Sequence, residues 1–160
     1  LTTPLQLAVA TGTLGMHGKR MTPTLLLKHE TAQTGEQYLQ QATVADQVSI
    51  HNRKNWDYMI DSMESVITDL HGTARKLRNN LYTVAGKTGT AQVFEIGQDE
   101  EYDAEKLAKK LRDHALFVSF APVDNPQIAV AVIVENGGSG GSVAGPVAKA
   151  VMDVYFEKQP

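Results

Sequence analysis

Two apolar runs near the end of this chain, Leu116 to Phe120 and Ile128 to Val134, constrain its fold most. They are separated by Ala121-Pro122-Val123-Asp124-Asn125-Pro126, and turn formers at that density predict a hairpin, so the two runs are expected to be antiparallel neighbours. The second run, Ile128-Ala129-Val130-Ala131-Val132-Ile133-Val134, is apolar on both faces. That is the pattern of a strand covered on both sides, and it predicts a central position in the sheet.

A sheet covered on both faces needs helices, and the sequence supplies them. Thr3-Pro4 reads as a helix start, a capping hydroxyl followed by proline at the first helical position. The residues from Leu5 to Leu14 are apolar nearly all round, which predicts a helix buried on several sides. Gly12, Gly15 and Gly18 end it. His29 to Asn52 is polar and without period, and is read as a long surface excursion with one short strand around Val44 to Ile50. Asn55 is expected to cap a second helix in which Trp56, Met59, Ile60, Met63, Val66, Ile67 and Leu70 face the core, with Gly72 as its C-terminal cap. A shorter helix is expected from Ala104 to about Asp113, after the acidic patch Asp99 to Asp103. The Gly/Ser stretch Gly137 to Gly145 reads as a flexible connection bordering a cleft. In the final helix, Val147, Ala150, Val151 and Val154 are expected to lie on the sheet. Helices, then strands with one helical insertion, then a helix predict an α+β fold, an antiparallel sheet with packed helices.

The chemistry concentrates in Leu81 to Phe94, read as a strand. Side chains alternate along a strand, so Thr88 and Thr90 share one face while Lys87 and Gly89 take the other. Gly89 lets a backbone or a ligand approach closely. A cation, two hydroxyls and strand amides suit a substrate whose carboxylate must be held while its carbonyl becomes an oxyanion. Gly86-Lys87-Thr88 is not a phosphate loop, because the glycine required five positions before Gly86 is replaced by Leu81 and no helix opens at the lysine. The later Gly/Ser stretch fails as a dinucleotide fingerprint, since Val143 stands where the third small residue belongs.

Bulk properties remove other classes. A net charge of −3 and a pI near 5.9 argue against nucleic acid as a partner. No run approaches the ~18 apolar residues of a membrane span. With no cysteine there is no disulfide or thiolate metal site, and the five histidines have no helical partner spacing, so no metal and no cofactor are expected.

Lys87-Thr88-Gly89-Thr90-Ala91-Gln92-Val93-Phe94 resembles the third active-site motif and following strand of the class B penicillin-binding proteins, which share their fold with the serine β-lactamases. Thr3-Pro4-Leu5-Gln6-Leu7-Ala8, Leu111-Arg112-Asp113-His114, and Asn125 to Val132 followed by Glu135-Asn136-Gly137-Gly138 are similar to the same family in the same order. The resemblance is greatest to the members that serve rod-shape elongation. It implies a peptidoglycan D,D-transpeptidase that forms a serine acyl-enzyme with stem peptides and is acylated by β-lactams. It also implies a protein held at the periplasmic face of the bacterial inner membrane, among the membrane proteins of the elongation machinery. Under it, Lys87 and Thr90 are catalytic, Lys87 through electrostatics and proton traffic and Thr90 through its backbone N–H in the oxyanion hole. Thr88, Gly89 and Thr90 bind substrate, the two hydroxyls taking the terminal carboxylate.

One departure is large. None of Ser49, Ser62, Ser65, Ser119, Ser139 or Ser142 has lysine three residues on, and none opens a Ser-x-Asn. In this family both motifs precede the third, so residues 1–160 are expected to be the C-terminal part of a single transpeptidase domain whose N-terminal half holds the nucleophile. The opening Leu1 in place of Met agrees with an excised piece. Alone, the chain is expected to be inactive and to expose a strand edge and apolar surface. The rival readings are a non-catalytic β-lactam sensor or scaffold of the same fold, and a serine β-lactamase, against which the long insert from Ile96 to Arg112 argues.

Overall fold

The β-rich runs form the core sheet of the computed structural model, which describes residues 2–93 and 111–158. In chain order the elements are α1 (Pro4–Gly15), β1 (Lys19–Met21), β2 (Lys28–Glu30), β3 (Gln37–Leu39), β4 (Val44–Gln47) and α2 (Lys54–Thr68). A 3-10 turn (Arg75–Leu77) leads to β5 (Ala85–Ala91), β6 (His114–Ala121) and β7 (Ile128–Val134), and a π-helical turn (Gly140–Ala144) leads to α3 (Gly145–Glu157). The three long strands make an antiparallel sheet in the order β5-β6-β7, with Phe117 opposite both Thr88 and Val132. The α+β reading holds, and so does the hairpin of β6 and β7.

The central strand is β6, not β7 as its apolar pattern predicts. Five of the eight residues of β6 are buried, whereas β7 buries only Val130 and pairs with no further strand among the described residues. Two apolar layers flank the sheet. Phe117, Ala115 and Val130 pack with Ala148 and Met152 of α3 on one side. Phe120 and Ala85 pack with Ile60 and Met63 of α2 on the other. Phe117 and Phe120 are fully buried, and each such ring contributes about 1.5–3 kcal/mol of transfer free energy.

Thr3 caps α1 in a reciprocal box with Gln6, as Thr3-Pro4 predicts. The helix lies on β6 and β7 through its small residues, since a Cβ on Gly15 would stand 2.8 Å from the Phe120 ring. Its first turns are not buried on several sides: Leu5 is exposed and Leu7 to Val9 are only half-covered. In α2 the stripe narrows to Ile60, Met63 and Ile67, while Met59 and Leu70 are exposed. The helix begins one residue before Asn55, and the Asn52 carbonyl Oδ1 accepts the Lys54 N–H. Gly72 does not cap it. That glycine is needed because a Cβ there would collide with the Val66 carbonyl. The polar excursion carries three short strands, β2, β3 and β4, where one is expected, and β1 pairs with β4. The acidic patch and residues 104–110 of the expected short helix lie outside the described residues.

On α3 the buried residues are Gly145, Ala148 and Met152, so the helix is rotated from the valine stripe. Val147, Val151 and Val154 are each close to half exposed. Tyr82 anchors this helix to the segment entering β5. Its hydroxyl donates to Asp153 Oδ1 at 2.5 Å, and Lys149 Nζ donates to Asp153 Oδ2 at 2.6 Å.

Candidate active site

Lys87, Thr88, Gly89 and Thr90 all lie on β5, the edge strand. Residues directly opposite in an antiparallel pair share a face. Thr88 stands opposite Phe117 and Thr90 opposite Ala115, on the α3 side, while Lys87 and Gly89 stand opposite Val118 and Leu116 on the other. The alternation expected from the sequence is therefore present. Lys87 and Thr90 are exposed and Thr88 and Gly89 half-buried. No other strand pairs with the outer edge of β5 among the described residues, so its backbone groups face outward there.

Lys87 Nζ donates to the Thr88 carbonyl at 2.7 Å and makes no ion pair among the described residues. Its charge is thus held against its own strand, with no carboxylate paired to it among the described residues. The Thr88 hydroxyl lies 3.1 Å from that of Thr73, in the turn after α2.

The Gly/Ser stretch is not a loose connection. Ser139 Oγ accepts the Ser142 N–H, and the π-helical turn packs against the paired residues Gly89 of β5 and Leu116 of β6. A Cβ on Gly140 would lie 2.7 Å from the Gly89 carbonyl oxygen and 3.0 Å from its nitrogen. It is Gly140 that lets the backbones meet, whereas a Cβ on Gly89 would meet the Leu116 Cβ at 3.2 Å and not this turn, so the close approach expected of Gly89 is permitted by Gly140 instead.

The turn that feeds this contact is tied to the start of β6. His114 Nδ1 accepts the Asn136 N–H at 2.9 Å, Asn136 Nδ2 donates to the Arg112 carbonyl at 2.8 Å, and the Gly138 N–H donates to the Asp113 carbonyl at 2.8 Å. Asn136 has φ 54°, a left-handed conformation that asparagine tolerates well. The segments around Arg112-Asp113-His114 and Glu135-Asn136-Gly137-Gly138, both quoted for the family resemblance, are brought together here. Sequence reasoning missed the Thr73 hydroxyl and the seat of Gly140, because both are contacts between distant segments. The signals were Gly72 beside Thr73 and the density of glycine around Gly140.

The architecture and the sequence are shared with known proteins. The chain is 41% identical over 158 residues to the peptidoglycan D,D-transpeptidase MrdA of Haemophilus influenzae, covering 98% of this chain and 24% of that protein. The chain thus spans about a quarter of the length of the curated relatives it matches. It resembles the crystal structure of Pseudomonas aeruginosa PBP2 in complex with WCK 5153, with a TM-score of 0.70 and 39% identity over 96% of this chain and 30% of that one. It also resembles PBP2 in the complex with MreC from Helicobacter pylori, with a TM-score of 0.70 and 27% identity over 98% of this chain and 25% of that one. The family model of the penicillin binding protein transpeptidase domain matches residues 1–153, and on this fold and this sequence the chain belongs to that family.

Proposed function

We propose that this chain is the C-terminal part of the transpeptidase domain of a peptidoglycan D,D-transpeptidase, and forms one wall of its active site. The observation that carries the reading is the Lys87-Thr88-Gly89-Thr90 sequence on an open strand edge, within a family match over residues 1–153. The missing wall is an N-terminal half with the Ser-x-x-Lys nucleophile and the Ser-x-Asn motif. The incompletely covered start of α1, the edge of β7 that pairs with no strand among the described residues and the exposed valines of α3 are the surfaces that this half covers.

In this mechanism the serine attacks the carbonyl of a D-Ala-D-Ala end, and the oxyanion is held by the Thr90 N–H and a second backbone donor. The hydroxyls of Thr88 and Thr90 hold the terminal carboxylate, so the reacting carbonyl is fixed between carboxylate clamp and nucleophile. Lys87, which pairs with no carboxylate among the described residues, lends positive charge to the proton transfers at the serine. The tetrahedral intermediate collapses with cleavage of the peptide C–N bond, and the terminal D-Ala leaves as the protonated amine. The acyl group then passes from the serine to an amine of a second stem peptide, and β-lactams enter the first step as substitutes for the peptide. Partners in the elongation machinery at the periplasmic face of the inner membrane follow from the likeness to a PBP2 that binds MreC.

The test is release of the terminal D-Ala, and cross-linking, by the full-length gene product acting on stem pentapeptides. Lys87→Ala is expected to reduce the rate by about 10²–10³-fold, the scale of losing one preorganised electrostatic group. An unchanged rate would remove Lys87 from the mechanism.

A further inference from the structure

His114 is the first residue of β6 and stands opposite Ala91, the last residue of β5. Its half-buried ring accepts the Asn136 N–H on Nδ1 at 2.9 Å. A backbone N–H can only donate, so Nδ1 carries no proton and the ring is neutral, with its one proton on Nε2. The bond ends on the turn after β7, which is also held by the Gly137 N–H on the Val134 carbonyl at 3.2 Å and by the Gly138 N–H on the Asp113 carbonyl at 2.8 Å. A Cβ on Gly137 would stand 3.0 Å from the Ala115 Cβ, so the turn lies directly against the start of β6. Four residues after Asn136, Gly140 rests on the backbone of Gly89. A continuous path of contacts therefore runs from the imidazole through the turn to the strand that carries Lys87, Thr88 and Thr90.

Charged groups approach the ring from each neighbouring segment. Arg112 and the buried Asp113 precede it in the chain, and Glu135 adjoins Asn136 on the turn. On β5, Lys87 shares its face of the sheet further along, opposite Val118, and α2 meets that face through the apolar Ile60 and Met63.

We propose that His114 is a positioning residue for the acyl transfer: its neutral imidazole holds the turn that seats Gly140 on Gly89, and a proton on Nδ1 unseats that turn. With Nδ1 protonated, two donors face one another where a hydrogen bond stood, and the turn must give way. Imidazole is the side chain that ordinarily gains its proton between about pH 5 and 8, so the site strand becomes sensitive to mild acid. The inference rests on the D,D-transpeptidase reading and adds a control on its strand.

The test compares acylation of the full-length gene product by penicillin G at about pH 7.5 and about pH 5.5, on either side of an ordinary imidazole titration, for wild type, His114→Asn and His114→Ala. The asparagine carbonyl can accept as Nδ1 does and does not titrate. The readout is the ratio of the two rate constants within each protein, to which the other titrating groups of the site contribute alike. The wild type is expected to slow in acid about fivefold more than His114→Asn, the scale of one lost hydrogen bond. His114→Ala, which has no acceptor, should be slower at both pH values and show the same ratio as His114→Asn. Hydrogen exchange of residues 135–140, corrected for its intrinsic pH dependence, should speed up in acid in the wild type and not in His114→Asn. Equal acid slowing in all three proteins, or equal exchange in wild type and His114→Asn, would overturn the inference and leave the transpeptidase reading standing. A wild type that penicillin G does not acylate at about pH 7.5 would overturn the transpeptidase reading, and the role of His114 in acyl transfer with it.

Discussion

Gly140 rests on the backbone of Gly89, so close that a methyl group at position 140 would stand 2.7 Å from the Gly89 carbonyl oxygen. The contact ties the turn before α3 to the strand that carries Lys87, Thr88 and Thr90. It also explains why a sequence rich in glycine and serine is ordered: Ser139 caps the turn, and the glycines permit contacts that any side chain would block.

Gly140→Ala should therefore act at a distance from the chemistry. Backbone cannot swing aside as a side chain does, so the strand or the turn must shift, at a cost of about 1–3 kcal/mol or more. Thermal melting of the full-length gene product should fall accordingly, and its acylation by penicillin should slow, because β5 moves with the turn. Gly138→Ala is not an equivalent control, since Gly138 has φ 76°. Gly35 shares that conformation, and a Cβ at either glycine has nothing within 4 Å, so Gly35→Ala, away from the site, reports backbone strain alone.

The Tyr82, Asp153 and Lys149 cluster predicts a pH dependence at both ends. The Asp153 carboxyl is held below its ordinary range, first by the hydrogen bond from Lys149 and then by that from Tyr82. Its contribution is present above the unfolded value of about 3.9 and is lost as pH falls through the lower folded value. The Tyr82 phenol is pushed well above its ordinary range, chiefly by burial and then by its bond to Asp153. That contribution is complete below about pH 10 and is lost as pH rises through the folded value. Tyr82→Phe should cost about 1–2 kcal/mol at neutral pH and flatten the alkaline limb of the melting curve. Identical curves for variant and wild type would mean that the hydroxyl bond contributes nothing.

The rotation of α3 separates two kinds of apolar side chain. Met152 is 1% exposed in the core of this chain, whereas Val151 is 47% exposed. Met152→Ala should lower stability by about 2–5 kcal/mol through the cavity it leaves. Val151→Asp distinguishes the two accounts of its face. If an N-terminal half covers it, the full-length gene product should lose about 2 kcal/mol or more from a buried, unpaired carboxylate. A change within about 0.5 kcal/mol would show that this face stays in water.

Much of the fold was legible because it depends on local chemistry. The capping box at Thr3 and Gln6, the turn formers between β6 and β7, and the alternation of Lys87 with Thr88 are all short-range signals. What failed depends on which surfaces meet. The apolar pattern of Ile128 to Val134 describes a strand with neighbours on each side, but among the described residues β7 has one partner strand. The valines of α3 and the leucines early in α1 likewise have apolar patterns that the described residues leave exposed or half-covered. The site strand was found from its residue types, while Thr73 and Gly140 were missed because nothing local marks a hydroxyl pair or a backbone contact across distant segments.

The central claim is that this chain is one wall of an acyl-enzyme site and lacks its nucleophile. Intact mass after incubation with penicillin tests it most directly, on the 160-residue chain and on the full-length gene product. The prediction is that the 17.4 kDa chain remains unmodified while the full-length protein gains the mass of one drug molecule. A covalent adduct on the 160-residue chain itself would contradict the account, because none of its serines sits in the sequence that activates one.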